Sequence, residues 1–199
     1  YSFMHENLMD MNHQFMHMKQ MGQMKPRFLG GRDEPTLVEA RYSFARTGGK
    51  QPWGETFIFG ERRDASEKYA HKDVMTIRTE YPYQTLRIAT GDEPPVMDLW
   101  IVYVPQDAEE KTCRVFGLLS IRRPKAKLVL DIAWPFLVAF TERIFKEDRD
   151  IVELEQAAWN ELGGDHNQEV FPVINMLRRL LARCGVPADK PAGDQVSSS

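Results

Sequence analysis

Six short runs rich in β-branched and aromatic residues fill most of the chain between residues 36 and 121, and they constrain the fold more than any other feature. The runs cover residues 36–46, 56–62, 74–80, 85–90, 96–104 and 114–121. Clusters of turn-forming residues separate several of them, at lengths that suit hairpins rather than helical crossovers. Because strands joined so closely pair antiparallel, the pattern predicts an antiparallel sheet.

The chain on either side of these runs has helical character. Residues 3–24 contain no proline and many good helix formers, so one helix is predicted there. A longer helix is predicted over 135–161, ended by Gly163 and Gly164, and another over 171–183. This order of elements predicts an α+β fold with the helices on one side of the sheet. We expect one domain over residues 1–187 and a disordered polar tail at 188–199.

Composition argues against several classes of protein. Among 199 residues, 26 basic and 29 acidic side chains leave a formal net charge of −3, too small a field to indicate nucleic-acid or membrane-surface binding. No apolar run approaches the roughly 18 residues of a membrane span, and nothing resembles a cleavable signal. A soluble, cytoplasmic protein is expected. The two cysteines, Cys113 and Cys184, have no partners at metal-ligand spacing, so buried free thiols are expected.

Polar side chains recur along the first predicted helix. Glu6, Asp10, His13 and His17 step by four, three and four residues, so on a continuous helix all four share one face. Two histidines four residues apart can bind one metal ion. A ligating imidazole usually donates its other ring N–H to a carboxylate or carbonyl, and Asp10 is placed to accept it from His13.

Seven of the ten methionines lie within the first 24 residues, and their spacing allows two interpretations. They either pack against a core or bind copper together with histidines. An apolar face at helical spacing comprises Leu8, Met11, Phe15 and Met18. A copper site needs several thioethers converging on one point, whereas these methionines spread around the helix, so packing is favoured.

An acidic residue interrupts the apolar stripe of the long predicted helix. The stripe comprises Leu137, Phe140, Ile144, Ile151 and Leu154. Asp148 falls within it, and an isolated carboxylate there is costly to desolvate, so it is expected to be protonated, paired with a cation such as Arg143, or bound to a metal. With His13 and His17 it makes two imidazoles and one carboxylate, a set that leaves positions open on Fe(II) for dioxygen and substrate.

Two stretches of the chain resemble a known family. Asn7, Asp10, His13 and His17 stand in a segment similar to the motif Asn-x-x-Asp-x-x-His-x-x-x-x-His, which binds iron in Rieske non-haem iron oxygenase α-subunits. The closest likeness is to the vanillate demethylase and phthalate-type oxygenases. The segment around Asp148 resembles the family's later motif, which carries the third ligand, and the likeness extends to about Pro187.

The resemblance implies a helix-grip (START-like) fold, an antiparallel sheet around a long C-terminal helix. It also implies that His13, His17 and Asp148 are the ligands of a mononuclear Fe(II) ion. Asp10 corresponds to the bridging acid through which electrons arrive, and Asn7 to a residue close to the iron. The implied reaction is O2-dependent hydroxylation or oxidative demethylation of a small aromatic substrate. The implied partners are this substrate, O2, a reductase or ferredoxin electron donor, and two further copies in a homotrimer.

The chain departs from the family pattern in two respects. Three residues rather than four separate His13 from His17, and His5 is the only nearby substitute for the second ligand. The Cys-x-His and Cys-x-x-His pairs that hold a Rieske [2Fe–2S] cluster are missing from these 199 residues. We therefore expect the Rieske domain to precede Tyr1 in a longer protein, and the fragment alone to be inactive.

Two other functions are compatible with the same residues. A helix-grip module without metal would bind a hydrophobic ligand and hold Asp148 in an ion pair, and a zinc hydrolase would use the same three ligands. The substrate is not readable from the sequence. Candidate pocket walls, each equally explained as core, are Phe15, Trp100, Phe116, Leu118 and Phe140. An aromatic lining on the early predicted strands is also suggested, although packing in the core is favoured for its members Tyr42, Phe44, Phe57 and Phe59.

Overall fold

A six-stranded sheet forms the body of the computed structural model, which describes residues 2–106, 112–122, 127–164, 169 and 171–185. Its strands are β1 (Gln23–Glu34), β2 (Leu37–Gly48), β3 (Asp73–Glu80), β4 (Tyr83–Thr90), β5 (Met97–Pro105) and β6 (Cys113–Ile121). Each strand pairs antiparallel with its neighbour in the chain, in the order β1 to β6. The predicted antiparallel sheet and five of its six predicted strands are confirmed.

The sequence prediction is wrong about β1 and about residues 56–62. No strand is predicted before residue 36, because Pro26, Gly30 and Gly31 are residues that end helices and form turns. They nevertheless lie in β1, where a register shift between Phe28 and Gly30 accommodates Gly30 at a φ of 143°. Residues 56–62 read as a strand from their β-branched and aromatic content. Most of them instead lie in helix α3 (Trp53–Phe59), which ends at Gly60 in the left-handed conformation.

The predicted continuous helix over residues 3–24 is broken at Asp10. Helix α1 (Ser2–Met9) stops there, and a 3₁₀ helix (Met11–His17) and a short helix α2 (Met18–Met21) follow. Asp10 has extended backbone angles, and its carboxylate accepts a hydrogen bond from the Asn12 backbone N–H at 2.8 Å. A side chain that caps a new helix in this way competes with continuation of the old one, so α1 ends where the capping residue begins the next element.

Two helices follow the sheet in the described part of the chain. The long helix α4 (Lys127–Leu162) begins earlier than predicted and contains Pro135 within it rather than at its start. Helix α5 (Pro172–Cys184) matches its prediction and has proline at its first position, where no backbone N–H is required. The α+β helix-grip fold with a long C-terminal helix is confirmed. The proposed tail at 188–199 lies outside the described residues.

The core lies between one face of the sheet and helices α1 and α5. The sheet contributes alternate residues of β2, β3 and β5, including the fully buried Val38, Tyr42 and Ile77. Helix α5 contributes five buried aliphatic side chains, at Val173, Ile174, Leu177, Leu180 and Leu181. Because the apolar side chains of α1 and α5 are buried against this one face of the sheet, both helices are held on the same side of it.

Some side chains of the methionine-rich N-terminal segment are packed in the core, and others are exposed. Leu8, Met9 and Met11 are buried in the core, so the packing interpretation holds for them. Met18 is exposed, and the side chains of Phe15 and Met16 lie outside the described residues. Both cysteines are free, but Cys113 is only half-buried and Cys184 is exposed, so the expected burial is wrong. Among the described helices, none is both long and apolar enough to cross a bilayer.

Candidate metal centre

Three side chains predicted from the sequence converge between the 3₁₀ helix and the middle of α4. His13, His17 and Asp148 each offer a ligand atom, and these atoms lie within 4.8 Å of one another. The two imidazole rings stand nearly perpendicular, with their centroids 5.4 Å apart. His17 and Asp148 are buried and His13 is half-buried. Residues 131 positions apart in the chain therefore form one compact polar cluster inside the fold.

The His17 ring is held by consecutive residues of α4. Its Nδ1 lies 2.9 Å from the Glu147 Oε2, and its Nε2 lies 3.0 Å from the Asp148 Oδ1. Burial alone would lower the pKa of His17, but the hydrogen bonds to Asp148 and Glu147 raise it above its ordinary value. Both ring nitrogens of His17 therefore face carboxylate oxygens, an arrangement that favours its protonated form. Glu147 is the member of this site that sequence reasoning missed.

The His13 ring is anchored by the main chain. Its Nδ1 donates to the Asp10 backbone carbonyl, which leaves Nε2 as its ligand atom. Asp10 thus supplies the expected partner for His13, although its carboxylate is engaged by the Asn12 N–H instead. Burial lowers the pKa of His13 despite that carbonyl contact. His13 is therefore neutral near pH 7, the form in which imidazole binds metals.

Asp148 is buried among neutral and cationic partners. Besides His17, it accepts a hydrogen bond from the Asn7 amide, whose Nδ2 lies 3.0 Å from its Oδ1. Burial would raise the pKa of Asp148, but the contacts with the two histidines and Asn7 lower it. Its partners are thus His17 and Asn7, and Arg143, the arginine named as one possible partner, is not among its described contacts. On the predicted stripe of α4, Leu137 is buried as expected, but Leu154 is 71% exposed.

Two other residues of the N-terminal segment lie away from the cluster. Because the helix is broken at Asp10, Glu6 does not share a face with the histidines; it forms a two-pronged ion pair with Arg178 of α5. His5 is fully buried, with its ring 4.5 Å from that of Tyr103 in an edge-to-face contact. Of the two candidates for second ligand, His17 joins the three-residue cluster and His5 does not.

A cavity of about 780 Å³ opens beside the cluster, between α1, α4 and the inner face of β5 and β6. Asn7 and Asp148 contribute to its wall, so the polar cluster borders the cavity directly. Most of the remaining wall is apolar, with Leu99, Ile101 and Leu119 from the sheet. Such a volume with apolar walls and a few polar groups is typical of small-molecule sites.

The candidate pocket walls from the sequence are wrong where the structure describes them. Trp100, Phe116 and Leu118 point to the opposite face of the sheet and are more than half exposed, while Phe140 packs against Trp53. For Tyr42 the favoured core interpretation holds, and Phe44 packs against the same core. Phe57 and Phe59 lie in α3 rather than on a strand. The side chain of Phe15 lies outside the described residues.

The cluster has the chemistry of a mononuclear metal site. A metal ion with nitrogen bonds of about 2.0–2.1 Å holds its ligand atoms no more than about 4.2 Å apart, so a small closing movement of the side chains suffices. Each histidine has a separate partner for its Nδ1, an arrangement that orients metal ligands. Two imidazoles and one carboxylate suit Fe(II) and also zinc. A helix-grip fold with this cluster beside a cavity is the arrangement expected of an oxygenase catalytic domain.

Comparison with known families agrees with this class. The profile of the vanillate O-demethylase oxygenase C-terminal domain matches residues 1–186. The chain therefore belongs to that family, and its predicted relationship to Rieske oxygenase C-terminal domains is confirmed. Searches of curated proteins and of solved structures gave no significant match.

Proposed function

We propose that this domain holds a mononuclear Fe(II) ion with His13, His17 and Asp148 and carries out O2-dependent hydroxylation or oxidative demethylation of a small aromatic substrate. The observation that carries the proposal is the position of Asp148, which both belongs to the three-residue cluster and borders the cavity. A substrate in the cavity would therefore lie beside the metal. Membership of an oxygenase family supports the same reaction class.

The residues around the cluster have distinct tasks in this proposal. Bound iron supplies the activation of dioxygen and the electron transfer that no side chain provides. The Asp10 carbonyl and Glu147 orient the two imidazoles, and Asn7 orients the Asp148 carboxylate. The apolar walls of the cavity exclude water and bind the ring of the substrate by burying its surface.

Electrons come from outside these 199 residues in this proposal. Neither Cys113 nor Cys184 is followed by histidine at the spacing that a Rieske cluster needs. We propose a reductase or ferredoxin as the ultimate donor, a Rieske cluster as the last carrier, and Asp10 as the residue through which the electron reaches His13. A homotrimer, in which the cluster of one copy serves the iron of the next, provides that route.

Anaerobic titration with Fe(II), followed by addition of nitric oxide and electron paramagnetic resonance spectroscopy, tests the metal centre. We expect one equivalent of iron in the wild-type domain and a high-spin iron–nitrosyl signal. His13→Ala, His17→Ala and Asp148→Ala should each abolish the signal, since each removes a ligand. His71→Ala is the matched control, because His71 is hydrogen-bonded to Ser43 elsewhere in the fold, and it should bind iron normally.

Two observations separate the alternative functions. A zinc hydrolase would use the same three residues but would be active with Zn(II) and without O2, whereas the proposed reaction needs Fe(II) and consumes O2. A metal-free ligand-binding module would take up no stoichiometric iron. Unchanged iron binding in all three alanine variants would show that the ligands are other residues and would overturn the assignment.

A further inference from the structure

Glu147 is placed to determine which nitrogen of His17 faces the metal. Its Oε2 lies 2.9 Å from Nδ1, while Nε2 of the same ring faces Asp148 at 3.0 Å. The two acidic residues are adjacent on α4, so one turn of one helix contacts both nitrogens of a single ring. His13 has a different arrangement, because a backbone carbonyl holds its Nδ1.

We propose that Glu147 is a positioning residue that keeps the proton of His17 on Nδ1 and thereby presents the Nε2 lone pair to the metal. An imidazole that binds a metal through one nitrogen needs an acceptor for the N–H of the other, and the acceptor fixes both tautomer and ring orientation. A carboxylate is a stronger acceptor than the carbonyl that serves His13. The inference rests on the proposed function, since it assumes that His17 is a ligand.

The hydrogen bond between His17 and Glu147 is shielded from water, and Glu147 can be replaced without disturbing the fold. The His17 side chain is only 3% exposed, so little water is available to replace Glu147 at Nδ1. Glu147 itself is 28% exposed at the side chain, and it lies on a long helix whose backbone does not depend on it. Removing the carboxylate should therefore leave the fold intact while freeing the ring to rotate or to change tautomer.

Titration with Co(II), an iron substitute that stays reduced in air, measures the expected effect. Glu147→Ala should weaken Co(II) binding by about 10- to 100-fold, the usual cost of losing such a partner. Glu147→Gln should weaken it by a smaller factor, because its amide oxygen still accepts the Nδ1–H but carries no charge. Glu161→Ala and Glu161→Gln are matched controls on the exposed end of α4 and should bind Co(II) like the wild type.

Nitrogen-15 NMR of the Zn(II)-loaded domain gives a readout that a merely structural role would not change. The wild type and Glu147→Gln should show His17 bound through Nε2 with a protected Nδ1–H, and Glu147→Ala should lose that protection. Wild-type Co(II) affinity in both Glu147 variants, or zinc bound through Nδ1 in the wild type, overturns the inference. If Glu147→Ala does not fold, the affinity of Glu147→Gln decides alone. A wild type that binds Co(II) no better than Asp148→Ala refutes the proposed function itself.

Discussion

At the scale of single residues, the protonation of His17 controls when a metal can bind. Hydrogen bonds that its ring donates to Asp148 and Glu147 raise its pKa, whereas burial lowers the pKa of His13 and the contacts with the two histidines and Asn7 lower that of Asp148. His13 and Asp148 are therefore already in their metal-binding forms at pH 7. His17, whose pKa is raised, has to release its proton wherever it is protonated before its Nε2 can become a ligand.

Metal affinity should consequently fall as the pH falls, starting from above the ordinary histidine pKa of 6.5. Below the raised pKa of His17, binding displaces one proton, so the affinity constant decreases about tenfold per pH unit. Co(II) titrations between pH 8 and 5.5 measure this slope, with circular dichroism at each pH to verify that the domain stays folded. An affinity that is constant from pH 8 to 6 would contradict a protonated His17.

His5 makes a second, separate contribution to pH dependence, through stability rather than metal binding. Burial lowers its pKa to about 3, so the folded protein keeps it neutral, whereas the unfolded chain protonates it near 6.5. As the pH falls below 6.5 the unfolded state gains the proton first, and stability is lost until about pH 3. Between pH 7 and pH 5 the loss is about 2 kcal/mol.

Urea unfolding of the wild type and of His5→Leu at pH 7, 6 and 5 tests this prediction. Between pH 7 and pH 5 the free energy of unfolding should fall by about 2 kcal/mol less in the variant than in the wild type, since a leucine cannot take up the proton. The variant's own baseline stability does not matter, because only the change with pH is compared. Parallel pH profiles for the two proteins would show that His5 does not titrate on unfolding.

Much of the site was predictable residue by residue, for chemical reasons. Asp148 stood out because a carboxylate is rare on an apolar stripe, and His13 and His17 stood out because two histidines four residues apart can bind one metal ion. The three side chains do come together. Glu147 carried no comparable signal, since an acidic residue on an exposed part of a helix is ordinary in sequence. Only the position of the 3₁₀ helix against α4 shows that its carboxylate reaches His17.

At the scale of elements, Asp10 determines where the N-terminal helix ends. Its capping bond to the Asn12 N–H starts the 3₁₀ helix that carries both histidines. Asp10→Ala should reduce the free energy of unfolding by about 1 kcal/mol, whereas Asp10→Asn, an equally good cap, should cost only a few tenths. Urea denaturation of the metal-free domain at pH 7 measures both.

The same two variants should retain Co(II) binding, because the His13 ring is held by the Asp10 main-chain carbonyl rather than by its carboxylate. Loss of metal binding in Asp10→Asn would show that the charge itself is needed at the site. Equal destabilisation by alanine and asparagine would show that the carboxylate stabilises the segment by its charge and not as a cap.

The elements that sequence reasoning missed share one physical cause. Propensity describes what a segment prefers alone, and tertiary contacts override it. Strand β1 contains Pro26 and two glycines, but eleven paired positions with β2 stabilise it. In α3, the β-rich composition is outweighed by helix packing and by Glu55, which pairs with the buried Arg46 of β2. In the confirmed strands, the composition favoured β-structure and the flanking turns favoured hairpins, so both signals predicted the observed structure.

At the scale of the whole molecule, the sheet has two apolar faces on β5 and β6, and this explains why the cavity could not be located from sequence. Leu99 and Leu119 face the cavity, whereas the alternate positions Trp100 and Leu118 face outwards, with Leu118 67% exposed. Alternation defines the two faces of a strand but not which one is inside when both are apolar. The larger aromatic side chains suggested a pocket wall and belong to the other face.

Gly117 offers a way to fill the cavity without touching the metal cluster. It lines the cavity on β6, and a Cβ added there would meet the Trp100 carbonyl oxygen at 3.6 Å and Leu99 Cδ1 at 3.9 Å, ordinary contact distances. Gly117→Leu should therefore fold and place its side chain in the space proposed for the substrate. We expect the affinity for 1-naphthol, measured by equilibrium dialysis, to fall about tenfold or more, equivalent to about 1.4 kcal/mol. The affinity for Co(II) should be unchanged.

Ser120→Leu is the matched control, since Ser120 lies on the same strand but on the outward face, opposite Asp98. It adds the same side chain to β6 outside the cavity and should bind 1-naphthol like the wild type. If Ser120→Leu weakened binding and Gly117→Leu did not, the aromatic ligand would occupy the outer face of the sheet. The substrate would then lie away from Asp148, and the proposed reaction at the metal would lose its geometric basis.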